Sequence, residues 1–196
     1  MKIDISNKTN RFAKRTLAAF SEALFMLMEK SSLETISVQK LCDSCNYPRS
    51  TFYNYFEDIY DLMEYCWEAI AGDMDIRKCM ELPEEERTKA IFIVMYEYLN
   101  ERKETLNKIV KHNGMDGRMM FSLSKHMKAR IKEMIAACEY SNQYPIRQDI
   151  IVDFYAETFE MLLEKSFFEG QVLSKEDAVT ALSFLIGSVE KEVHKR

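Results

Sequence analysis

Glycine and proline are scarce in this chain, five and three among 196 residues. Both interrupt helices, glycine through backbone entropy and proline by removing an amide donor. Their rarity leaves long stretches able to stay helical. Strand-type alternation of useful length is missing as well, and there is no internal repeat. No apolar run reaches the roughly 18 residues that a membrane-spanning helix needs, so no membrane partner is expected. Residues Met1 to Asn10 lack the apolar core of a signal peptide, which makes the cytoplasm the expected location. The five cysteines are an odd set, suited to reduced thiols rather than a disulfide framework. There is no glycine-rich phosphate loop and no nucleophile signature joining Ser, His and Asp, while the acidic pairs fall on solvated helical faces. Neither an enzyme nor a cofactor is expected.

A hydrophobic share of 47% and a charged share of 30% are those of a soluble globular protein, which excludes global disorder. The length allows one ordinary domain and a small one. A net charge of −5 looks wrong for a nucleic-acid binder until it is divided. Residues 1–60 carry eight Lys or Arg against seven Asp or Glu, whereas residues 61–196 carry 19 against 25. Lys2, Lys8, Arg11, Lys14 and Arg15 face only Asp4 in the first fifteen positions. Positive charge is thus concentrated where a phosphate backbone could be met.

Leu17, Phe20, Leu24, Leu27 and Met28 recur at helical steps and define a first helix of about 20 residues, with Thr9 or Asn10 as its cap. Ser31 and Ser32 interrupt it, and Leu33 and Ile36 point into a small core. Ser37 then caps a short helix that turns Val38, Leu41 and Cys42 inward. Asn46 stands at a sharp turn, where a positive φ is tolerated better by Asn than by most residues. Pro48 suits the first turn of the next helix. Asp58 opens a longer helix with Ile59, Leu62, Met63, Cys66, Trp67 and Ile70 as its stripe, and further helices are expected over 84–100, 102–111, 116–139, 146–169 and 175–194. Breaks fall at Gly72, Pro83, Gly114, Gly117, the 141–145 segment and Gly170. The predicted fold class is all-α: an N-terminal three-helix helix-turn-helix domain over 1–58, a connecting helix over 58–71, and a C-terminal helical bundle over 72–196.

The stretch from Ser37 to Phe56 carries the chemistry. Two short helices around a turn leave Arg49, Ser50, Thr51, Tyr53 and Tyr55 around the start and outer face of the second helix. Such a helix enters the major groove with its N-terminal residues at base edges. Arg49, Ser50 and Tyr53 are the candidates for bases; Arg49 has a donor fork that matches guanine O6 and N7. Ser37, Gln39, Thr51 and Tyr55 are the candidates for phosphates, which fix register without reading sequence. The bland alternative is an aromatic helical hairpin buried in a core, which leaves Arg49, Ser50 and Thr51 beside a turn unexplained.

These residues resemble the TetR family of bacterial transcriptional regulators over positions 9–70: the long first helix, the Ser37-Val38 start, Phe52-Tyr53 with Tyr55-Phe56, and Asp61-Leu62-Met63. The family often has Gly at the place of Asn46, Ser at Pro48 and Lys at Ile59; the last change removes or moves a phosphate anchor. Residues Phe56 to Met63 are similar to a branch that regulates dihydroxyacetone kinase genes. The resemblance implies a homodimer on double-stranded palindromic operator DNA, repression as the default, and release by a small apolar effector. An activator controlled by a protein partner, and a helical interaction protein without DNA binding, stay open as alternatives.

Other groupings are weaker. Cys42 and Cys45 have the spacing of half a zinc site or a redox pair, but no further ligands lie near them, so no metal is expected and core packing or thiol sensing are the readings left. Eight of thirteen Met fall between Met74 and Met134. With Phe92, Tyr96, Tyr98, Phe121 and His126 they form either an adaptable pocket or a flexible core; no effector-binding residue is singled out. The last two helices hold more apolar surface than one face of each needs, and Phe154, Leu162, Phe167, Leu182, Leu185 and Val189 are the candidates for a dimer interface.

Overall fold

The computed structural model describes residues 11–74, 76–136, 146–168 and 173–193, and every regular element among them is helical. In chain order these are α1 (Arg11–Met28), a 3-10 turn (Leu33–Thr35), α2 (Val38–Cys45), α3 (Arg49–Tyr53), α4 (Ile59–Asp73), α5 (Arg77–Met80), α6 (Glu84–Glu101), α7 (Lys103–Asn113), α8 (Arg118–Ala136), α9 (Gln148–Phe167) and α10 (Lys175–Val193). None is long and apolar enough to cross a membrane among the described residues. The expected cap at Thr9 or Asn10 and the breaks at 141–145 and Gly170 lie outside the described residues.

Two compact units result, one of residues 11–70 with 104–122, the other of 71–103 with 123–193. In the first, α1 buries Leu17, Phe20, Ala23, Leu24 and Met28, one helical stripe. The 3-10 turn and Ile36 bring Leu33 and Ile36 inward. Ser37 caps α2 by accepting the Lys40 amide at 3.1 Å, a contact worth about 1 kcal/mol. Asp58 does the same for α4, accepting from the Asp61 amide at 2.8 Å, while Asp61 reaches back to the Glu57 amide at 3.0 Å. The first bond is that of a capping box, whereas the return bond goes to the amide one residue before the cap.

The first unit also claims α7 and the start of α8, which the sequence pattern assigned to the C-terminal bundle. The reason is polar. Asn113, buried at the end of α7, accepts the Leu33 amide at 2.7 Å and donates to Met28 O at 3.2 Å and Ile109 O at 2.8 Å. Gly114 (φ 65) then ends α7 in the left-handed region, and a Cβ at Gly117 would stand 2.0 Å from Asn113 O. The Arg118 amide donates to Glu34 at 3.2 Å, and the Trp67 indole donates to Ser122 at 3.0 Å.

In the second unit, α9 and α10 pack with α6 around Phe92, Phe159, Leu162, Phe167, Leu182 and Ile186. Phe92 meets Phe159 edge-on at 5.3 Å, and Tyr96 meets Phe167 at 4.9 Å. Three residues expected at a dimer interface are therefore corrected: Leu162, Phe167 and Leu182 belong to this unit's own core, with Leu182 0% exposed. Helix α9 is apolar around most of its circumference, and its inward face takes these side chains. Phe154 and Leu185 are half-buried, and the Val189 side chain lies outside the described residues. The outward stripe of α9 is Ile150, Phe154 and Met161, at steps of four and seven, and α10 exposes Phe184 at 83%.

Asn113→Ala strands a buried amide and two carbonyls, so the expected loss is about 2–4 kcal/mol in urea unfolding, with the transition of the first unit moving most. Burial pushes the Cys66 thiol from 9.0 up to about 11, with a hydrogen bond involving Ser21 opposing the shift in part. A raised folded-state value stabilises the fold below the unfolded value and is lost as pH rises through the folded one. The urea midpoint of the wild type should accordingly fall more steeply between pH 9 and pH 11 than that of Cys66→Ala.

Candidate nucleic-acid interface

Helix α2 ends where Asn46 turns left-handed, at φ 56 and ψ 43, as the sequence predicted for this position. It is the one positive-φ residue other than glycine among those described. The Asn46 and Tyr47 amides both turn back to Cys42 O, the latter at 3.0 Å. Pro48, extended at φ −63 and ψ 146, stands just before α3 rather than in its first turn, and its carbonyl accepts the Thr51 amide at 2.9 Å. Because α3 has five residues, its backbone bonds cannot sustain it alone. Phe52 supplies the anchor: it is 0% exposed and meets Phe20 edge-on at 5.5 Å and Phe56 at 5.5 Å. Tyr47 closes the turn onto Phe20 at 5.3 Å.

With Phe52 committed inward, the outer face of α3 is fixed. Arg49 and Ser50 are exposed and Tyr53 is 38% exposed, so the three candidates for bases lie on solvent. Arg49 Nη2 donates to the Tyr53 hydroxyl oxygen at 3.3 Å, which holds the guanidinium above its already high ordinary value. Thr51 and Tyr55 are half-buried, with the Tyr55 ring leaning on Phe56 at 6.3 Å. Ser37 is exposed and caps α2. Gln39 is exposed too, but its amide donates to Asp43 at 2.7 Å, which sets a carboxylate beside a position expected to meet phosphate. Lys40, which the sequence reading passed over, is an exposed cation three residues from Ser37; its charge in the first turn of a helix-turn-helix was a signal available in the sequence. Ile59 is buried, so the place where the family often carries a Lys offers no cation to a backbone.

The thiols at Cys42 and Cys45 are both pushed up, chiefly by burial; Cys45 and Asp43 add to the rise at Cys42. The Cys45 thiol donates to Leu41 O at 3.2 Å. Protonated thiols inside a helical core have little of the thiolate character that oxidation requires. No cluster of metal-binding side chains occurs among the described residues. The groups considered for an apolar pocket are dispersed. Phe92 and Tyr96 pack in the second core, His126 is buried, Tyr98 lies under the Arg102 guanidinium at 3.7 Å, and Phe121 is exposed in the first unit. A surface hollow of about 210 Å³ is lined by Lys132, Gln148, Asp149, Val152 and Asp153.

Neither the protein-family models nor the curated proteins give a match to this sequence. Solved structures do. A protein of Syntrophomonas wolfei assigned to the TetR family of transcriptional regulators superposes with a TM-score of 0.68 at 16% identity, covering 91% of this chain and 96% of its own. A transcriptional regulator of Pseudomonas aeruginosa gives 0.60 at 12% identity, over 97% and 99%. The dihydroxyacetone kinase operon activator DhaS gives 0.53 at 15% identity, over 90% and 97%. The chain has the fold of TetR-family transcriptional regulators, all-α with an N-terminal helix-turn-helix, which agrees with the resemblance read from residues 9–70.

The left-handed turn makes a test of what positions α3. Asn46→Gly should leave stability within about 0.5 kcal/mol of the wild type, whereas Asn46→Val should cost about 1–2 kcal/mol in urea unfolding, because a β-branched side chain resists positive φ. Equal behaviour of the two variants would show that the turn is not held at that φ in solution.

Proposed function

We propose that this chain is a TetR-type DNA-binding transcriptional regulator of the cytoplasm that acts as a homodimer on a palindromic operator and has no enzymatic activity. The observation that carries the reading is the outer face of α3, where Arg49, Ser50 and Tyr53 stand exposed on a helix pinned by Phe52 and preceded by a left-handed turn. A helix so presented fits the major groove with base-reading side chains at its start, and Ser37, Lys40, Thr51 and Tyr55 are suited to the flanking phosphates.

Dimerisation is supported by Ile150 and Met161, exposed on α9 beside half-buried Phe154, and by exposed Phe184 on α10, apolar surface that a lone chain would leave in water. Two α3 helices related by a two-fold axis would meet successive major grooves, with half-sites about one helical turn or slightly more apart. The N-terminal head, the connecting helix over 58–71 and the remaining bundle are the domains this reading assigns, with 104–122 packing alongside the head. Repression by occupancy and release by a small apolar effector follow the family resemblance; Met80, Met95, Met127 and Met134 around the second core supply adaptable side chains for such a ligand. Activation is the second reading, favoured by the likeness to DhaS, a protein described as an operon activator.

Selection from a randomised duplex pool is the test. A palindromic site should be enriched, its affinity should fall linearly on a log–log plot against salt, and sedimentation at micromolar concentration should give a dimer. Absence of binding at low salt, or a monomer, would overturn the proposal. Transcription in vitro from a promoter carrying the enriched site separates the two modes, since output falls for a repressor and rises for an activator.

A further inference from the structure

Arg49 and Tyr53 are four residues apart on α3, so both side chains leave the same face of the helix. They are also in contact. Arg49 Nη2 donates to the Tyr53 hydroxyl oxygen at 3.3 Å, and the guanidinium carbon lies 5.7 Å from the centre of the Tyr53 ring. The Tyr53 ring in turn stands edge-on to Phe52, centroids 5.5 Å apart, and Phe52 is wholly buried. An unbroken sequence of contacts therefore runs from the core of the head to an exposed guanidinium.

An arginine on an open surface samples many rotamers, and ordering it on a ligand costs entropy. Here the ring and the hydroxyl restrict it before any ligand arrives. We propose that Tyr53 is a positioning residue for Arg49 and that the two read one base pair as a unit selecting guanine. The inference rests on the DNA-binding reading above and deepens it. A guanidinium has five N–H donors, of which one is directed to Tyr53 and four remain. The Tyr53 hydroxyl, accepting from Arg49, still has its own hydrogen to donate. The exposed edge of the pair is thus dominated by donors, with one remaining lone pair on the Tyr53 oxygen. Guanine, with O6 and N7, offers two adjacent acceptors in the major groove; adenine and cytosine each place an amino donor there, and thymine offers one acceptor beside a methyl group. A phosphate would accept an arginine from a wide range of angles and would gain little from this restraint.

The test uses the full-length wild type, Arg49→Ala, Tyr53→Phe and the double variant. The probes are the duplex enriched from a randomised pool by the wild type, and the set of its single base-pair substitutions. Tyr53→Phe keeps the ring on Phe52 and removes only the accepting oxygen, and matching thermal melts verify that the fold is intact. The wild type should require guanine at one position of each half-site. Arg49→Ala should weaken binding by about 5- to 150-fold and relax that position. Tyr53→Phe should relax the same position by roughly 2- to 10-fold, and the double variant should match Arg49→Ala alone. Relaxation at a different position, an equal loss on every duplex, multiplying effects, or no change in Tyr53→Phe would each overturn the pairing. Failure of the DNA reading itself shows differently, as no enrichment by the wild type.

Discussion

A helix as short as α3 lacks the hydrogen bonds to offset the cost of its own nucleation, so its place in the first unit depends on burial of the Phe52 ring against Phe20. Removing such a ring from water is worth about 2–3 kcal/mol, and each edge-on aromatic contact adds about 0.5–1.5 kcal/mol. Phe20 comes from α1, Tyr47 from the turn, and Phe56 from the link into α4. One aromatic cluster thereby sets the angle of α3 against its neighbours. The same commitment of Phe52 fixes the rotation of α3 about its axis, and in that setting Arg49, Ser50 and Tyr53 lie on the surface. Exposure of the base-reading candidates follows from the core.

Polar contacts then determine how much of the chain joins this unit. Apolar packing alone would let α7 associate with any greasy surface, whereas Asn113 has partners with fixed geometry: the Leu33 amide and the Met28 and Ile109 carbonyls. The Trp67–Ser122–Glu64 contacts, at 3.0 and 3.2 Å, tie the start of α8 to α4 in the same way. Both α4 and α8 begin in the first unit and end in the second.

The legible parts of the fold were those set by local chemistry. Helical spacing over Leu17 to Met28 gave α1, Ser37 its cap and Asn46 its left-handed turn, because each depends on neighbours within a few residues. The outward placement of Arg49, Ser50 and Tyr53 was legible for the same reason once Phe52 was assigned inward. Two features were hidden. The affiliation of 104–122 rests on Asn113 meeting residues about 80 positions earlier, and no local pattern encodes that partner. The inward side of α9 was hidden because its apolar residues extend around the helix beyond the face its own core uses, although Asp149, Asp153 and Glu157 mark an exposed polar arc. Leu162 and Phe167 therefore read the same as Ile150 and Met161, although only the latter are exposed. The short helix α5 and the 3-10 turn at Leu33 were too brief to leave a periodic signature.

Charge sets a last constraint on how such a head would read DNA. Residues 61–196 hold six more acids than bases, and residues 1–60 hold one more base than acids. At physiological salt the Debye length is about 8 Å, so the charges nearest a bound backbone count most. Among the described residues of the head, the cations include Arg49 and Lys40 on the helix-turn-helix and Arg11, Lys14 and Arg15 on α1. Counterions displaced by such cations favour attachment to any sequence alike, so this term carries no specificity. Specificity of such a head would have to come from base contacts, where a well-held donor fork matters most, while a second copy would double the contact surface. Under the proposed function, sequence-blind charge, the restrained Arg49 and exposed Ile150 and Met161 on α9 would serve one physical requirement, attachment refined by reading.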